Sequence, residues 1–147
     1  MPTAWDPDVR ASLVSRARTL TPQHTATWGK FSVAGMLAHL NDSARMATGA
    51  LQVTGKAPSF LKWPPVRYLF IHVLPMPKGA PTAPELLARS DSADFARELQ
   101  TFEAGMIALD GTSHALMPHP AFGTLSHTAW GLLIHKHVDH HLRQFGV

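Results

Sequence analysis

Histidine is the residue type from which chemistry would come in this chain. Ten of its 147 residues are His, and seven of them, at positions 114, 119, 127, 135, 137, 140 and 141, fall in the last thirty-four positions. No terminal run of six marks a purification tag, so these imidazoles belong to the fold. Imidazole titrates near neutrality and is the commonest side-chain ligand for divalent metals. Cysteine is absent, which excludes disulfide scaffolds, thiolate metal sites and a cysteine nucleophile together.

Advancing about 100° per residue along a helix expected from near Thr124 almost to Val147 sorts the histidines by face. Lys136, Asp139, Arg143 and His135 share one side and are expected to meet solvent, with Trp130, Ile134 and Val138 opposite. His137 and His141 point into the middle of that apolar face, one turn apart, so both imidazoles can reach one ion. His135 and His140 read as surface residues. His119, before Pro120, reads as a loop hydrogen-bonder, and His127 is left open by its register. On an earlier helix, Asn41, Asp42 and Arg45 are expected on the wet side and Val33, Met36, Leu40, Ala44 and Ala47 on the packed side. His39 sits at the edge of that packed arc.

His39, His137 and His141 are therefore the candidate metal ligands. Three inward imidazoles cost desolvation energy unless their nitrogens are satisfied. A divalent metal would satisfy them, and so would a polar cluster with Asn41, Ser43 or Gln144; register alone leaves both open. Three neutral ligands would leave coordination positions and the full metal charge available, which suits Lewis-acid polarisation and lowering the pKa of a bound thiol or water. No general base, nucleophile or oxyanion stabiliser stands out beside them, so catalytic and substrate-binding residues are not assigned.

The elements that must carry these residues are helices. Asp6-Pro7-Asp8 is an N-terminal helix signal, followed by Val9, Leu13, Ala17 and Leu20 on one face and stopped at Thr21-Pro22. Ser32 is expected to cap a second helix reaching about Leu51. A third begins near Asp91 or Ser92, carries Phe95, Leu99, Phe102, Met106 and Leu109 as a seam, and is expected to end at Gly111. Residues 53–90 hold more than half of the twelve prolines, and only Val66–Leu74 reads as a short helix there. No strand is expected. The pattern is an all-α four-helix bundle in one domain, residues 1–147, with a long irregular crossover between helices 2 and 3. A crossover of that length is expected to wall a site.

Two stretches resemble a known group. Lys30-Phe31-Ser32-Val33-Ala34-Gly35-Met36-Leu37-Ala38-His39-Leu40 resembles the opening of the second helix in the DinB/YfiT-like superfamily. His137-Val138-Asp139-His140-His141-Leu142-Arg143-Gln144 resembles that superfamily's closing H-x-x-x-H-R-x-Q, with Leu142 displacing the arginine by one position. The likeness runs from Trp28 to Val147 and looks like an uncharacterised, domain-of-unknown-function branch. The resemblance implies a DinB-like bundle with a divalent metal, zinc or nickel, held by His39, His137 and His141. It also implies activation of an external low-molecular-weight thiol for S-transfer or isomerisation, or of water for hydrolysis, and a homodimer.

Charge narrows the partners. Thirteen Lys and Arg against ten Asp and Glu leave a net charge of +3, too little to indicate nucleic-acid binding. The four tryptophans are also scattered rather than interleaved with basic residues. The longest strongly apolar uncharged run, Tyr68–Pro77, is about half of a membrane span, and the N-terminus has no leader pattern. A cytoplasmic protein with a small-molecule substrate, no nucleic acid and no membrane partner is expected. Between Asp42 and Glu85 there is no acid, while Arg45, Lys56, Lys62, Arg67 and Lys78 are basic; they are candidates for gathering an anionic co-substrate. The alternative function is a non-catalytic metal-binding or interaction protein with a structural histidine cluster.

Overall fold

Asp6 caps the first helix as its sequence predicts: its carboxylate accepts the amide of Asp8 at 2.9 Å, and α1 runs Pro7–Ala17. The computed structural model describes residues 1–55, 57–110 and 116–147. Gly111, His114 and Lys56, singled out above, lie outside the described residues. Ser32 caps α2, Val33–Ala47, by accepting from Gly35 N at 3.0 Å. That helix ends four residues earlier than its pattern suggests. Gly49 takes φ +83°, its amide donates to Met46 O, and Leu51 N reaches back to Arg45 O. This left-handed glycine exit closes the last turn, and continued apolar spacing cannot override it.

The crossover is more ordered than its prolines imply. A 3-10 turn at Ser59–Lys62 leads into α3, Pro64–Tyr68, which Pro64 and Pro65 begin rather than break. A prolyl residue is tolerated at the first helical positions because their amides have no intrahelical partner. The chain then widens into a π turn at Leu69–Val73. Two further 3-10 turns, Pro84–Leu86 and Ser90–Ser92, precede α4, Phe95–Ala108, whose cap is Asp94 rather than Asp91 or Ser92. Ser126 caps α5, His127–Gln144, three residues later than expected.

Among the described residues there is no strand, only isolated bridges at Thr25–Ser32 and His119–Gly123. The chain is all-α. One core draws on four helices: Leu13, Val14 and Ala17 from α1, Met36, Leu37 and Leu40 from α2, Phe102 and Met106 from α4, Val138 and Leu142 from α5. The expected seam of α4 therefore packs inward, with Phe95 and Leu99 partly buried beside it.

α2 is enclosed on nearly all sides, and this overturns one expectation. Asn41 and Asp42 are buried, not wet. Asn41 Nδ2 donates to Glu98 Oε2 at 2.8 Å, and Arg89 joins Asp42 at 3.0 Å and Glu98 at 2.6 Å. Ala44, assigned to the packed side, is exposed instead. The crossover thus lays a guanidinium against two buried carboxylates, one on α2 and one on α4, and its positive charge offsets their desolvation. These hydrogen bonds hold Arg89 protonated, raising its pKa further above the ordinary value.

The first residues dock on α5. Ala4 N donates to Gly131 O at 2.9 Å, and Trp5 Nε1 donates to His127 O at 2.7 Å. A Cβ at Gly131 would lie 2.4 Å from Trp5 Nε1, so the close approach needs glycine there. No helix among the described residues is long and apolar enough to cross a membrane.

Candidate metal centre

The triad forms where α5 and α2 face each other. His39 and His141 are buried and His137 is partly exposed, and each offers a ring nitrogen within 4.8 Å of the other two. All three ring pairs have centroids 4.9 Å apart. Phe31 stacks on His39 at 5.2 Å and meets the edge of His141 at 5.7 Å, covering the cluster from the loop before α2.

The hydrogen bonds behind the rings fix which nitrogens face inward. Gln144 Nε2 donates to Trp28 O at 2.7 Å. A carbonyl can only accept, so the other amide atom, Oε1, faces His141 Nδ1 at 2.8 Å and must accept from it. His39 Nδ1 likewise donates to Leu86 O at 3.2 Å. Both rings in their neutral form therefore carry their proton on Nδ1 and present a lone pair at Nε2. His39 Nε2 meets His137 Nε2 at 3.0 Å. A proton carried by His137 Nε2, or a cation shared by the two rings, would satisfy that contact. Carbonyl oxygens behind imidazoles are the usual outer support of histidine metal ligands. The donor set is neutral, converging and pre-oriented, and it fits a divalent ion.

Burial lowers the pKa of each ring and keeps it available as a neutral ligand. It is the main cause for His39, opposed by the bond to Leu86 O. It brings His141 down to about 4, with His39 adding to the effect. His137 is pushed well below the usual range by burial first and by its His39 and His141 neighbours second.

The other predicted residues sort as follows. His135 is half-buried and away from the triad rings; His140 is half-buried too, edge-on to Trp28 at 5.5 Å and to His141 at 5.2 Å. His119 is a loop hydrogen-bonder as expected: its Nδ1 accepts from the amides of Ala121 and Phe122. His127 is exposed and stacks on Trp5 at 4.6 Å. Lys136, expected in solvent, instead donates to the carbonyls of Phe70, Ile71 and Leu74 and pins the π turn onto α5. Arg143 stays outside, paired with Asp139 at 3.0 Å.

Of the basic residues of the acid-free stretch, Arg45 pairs with Asp42, and Arg67 donates to Phe122 O and Thr124 O. Lys62 is exposed. Lys78 sets its ammonium 4.2 Å over the Trp28 ring and close enough to His140, the neighbour of His141, to lower the His140 imidazole's pKa. Two surface hollows, one beside Ser12 and His135 and one at Thr21–Thr25, contain none of the triad. What register could not reach were the supports: Leu86 O and Trp28 O are backbone atoms, and backbone partners leave no mark in residue type.

A family described as Protein of unknown function (DUF1569) matches residues 8–146. No curated protein and no solved structure matches the chain.

Proposed function

We propose that this chain, which belongs to the DUF1569 family, is a divalent-metal protein whose ligands are His39, His137 and His141. The observation that carries this reading is the pair of carbonyl-type supports, Leu86 O and Gln144 Oε1, that turn two Nε2 lone pairs toward a third imidazole. Zinc or nickel suits three imidazole nitrogens. The quoted resemblance of the second and last helices and a core drawn from four helices support reading the domain as a DinB-like bundle.

Bound there, a divalent cation would supply Lewis-acid activation of a low-molecular-weight thiol or of water. The chain's own contribution is orientation and exclusion. Leu86 O and Gln144 hold the rings, Phe31 shields two of them, and Lys78 sets a positive charge at the rim. Any thiol must come from outside, since the chain has none. Among the described residues no carboxylate joins the three histidines, which favours the second reading, a metal-binding protein that performs no chemistry.

Elemental analysis of wild type and of His39→Ala, His137→Ala, His141→Ala and His135→Ala tests the ligand set. Metal is expected near one equivalent in wild type and His135→Ala, and lost in the other three. Equal occupancy in all five proteins would refute the site. Cobalt substitution followed by titration with glutathione, bacillithiol and mycothiol then separates the two readings, because only an open, thiol-accepting site develops sulfur charge-transfer absorption.

A further inference from the structure

Near the triad, one buried N–H donor has no acceptor, and a second N–H lies on the ring beside it. Trp130 is 4% exposed, and its indole Nε1 is buried without a hydrogen-bond partner. An orphaned buried donor carries a desolvation penalty that phenylalanine at the same place would avoid. The second donor is His119. Its Nδ1 accepts from two amides, at 3.1 Å from Ala121 N and 3.3 Å from Phe122 N. The proton of the neutral ring is therefore on Nε2, and burial, which lowers the pKa to about 4, keeps the ring neutral.

These donors share one place. The His119 and Trp130 ring centroids are 5.6 Å apart. Trp130 lies on the same side of α5 as His137, two turns earlier, about 10 Å along the axis. His119 is near enough to His137 to depress its basicity. Trp130 belongs to an apolar cluster with Met46, Ala47 and Leu133, against which Phe122, Leu86 and Met76 pack.

We propose that His119 Nε2–H and Trp130 Nε1–H form a two-donor subsite for a carbonyl-type oxygen, carboxylate or amide, on an apolar small molecule whose other end reaches the three histidines. Neighbouring N–H donors in apolar surroundings can recognise such an oxygen. The assignment deepens the metal-site reading and relies on it for the far end of the ligand, whereas the donor pair can be tested separately.

The test uses 15N-labelled full-length protein, zinc-free and zinc-loaded, titrated with benzoate and with benzamide while the four indole N–H signals are followed. Trp130→Phe assigns the signal. The Trp130 resonance is expected to move downfield to saturation while exposed Trp63 stays still. A response to benzoate identifies a carboxylate site, and a response to benzamide alone identifies a neutral carbonyl site. His119→Asn keeps an acceptor for the amides of Ala121 and Phe122 but removes the Nε2 donor, and should weaken binding about tenfold. A Trp130 signal unmoved by both probes, or unchanged affinity in His119→Asn, overturns the subsite. Absent zinc uptake with a retained Trp130 shift would remove the metal reading alone.

Discussion

Gln144 determines which nitrogen His141 presents. Its amide is itself fixed by Trp28 O, and its backbone carbonyl accepts from Thr27 N at 2.8 Å, so the loop before α2 and the end of α5 are held by one residue. Gly29 makes this approach possible. It takes φ +78°, and a Cβ there would stand 2.7 Å from Gln144 Nε2. Gln144→Ala leaves all three ligands in place but frees the His141 ring. Support of this kind is worth about 10–100-fold in metal affinity. Competition with a chromophoric chelator should show zinc affinity lowered by that factor while stoichiometry stays at one; an unchanged affinity would mean that His141 is oriented by packing alone.

At the scale of elements, Arg89 joins the crossover to the helices. It reaches Asp42 on α2 and Glu98 on α4 from a position three residues after Leu86, whose carbonyl holds His39. Arg89→Met would leave buried Glu98 without its cation and Asp42 with Arg45 alone, a loss of about 3–5 kcal/mol. Urea denaturation should show a correspondingly lower midpoint, and double replacement with Asp42→Asn should recover part of the loss. This cluster also marks the limit of what the sequence discloses. Helix faces were legible wherever apolar residues recur, as along Leu13, Phe102 and Val138, and the inward register of His39, His137 and His141 agrees with the closeness of their rings. Asn41 and Asp42 read as solvent-facing because polarity is normally a sign of exposure. The partners that satisfy them, Glu98 for Asn41 and Arg89 for Asp42, are 57 and 47 residues distant, and no periodicity connects either pair. Helix ends were misplaced by a few residues for a related reason: Gly49 and Ser126 act through single backbone angles and hydrogen bonds, which a pattern averaged over several turns does not resolve.

Across the whole molecule, the triad depends on segments that meet late in the chain's connectivity. His39 belongs to α2, its support Leu86 to the crossover, His137 and His141 to α5, and the carbonyl behind Gln144 to the loop at Trp28. Lys136 and Arg89 dock the crossover from opposite ends. One feature of this arrangement makes the site optically visible. The Trp28 ring carries Lys78 on its face and His140 at its edge, with His140 in turn against His141, while Trp63 is 62% exposed on the crossover. An ion with an open d shell quenches a nearby indole, and a closed-shell ion does not. Nickel or cobalt should therefore dim the chain's ultraviolet emission where zinc leaves it bright, and the loss should shrink in Trp28→Phe, which keeps the backbone carbonyl that Gln144 needs. The molecule carries its own lamp beside the triad, so occupancy can be followed by fluorescence without label or chelator.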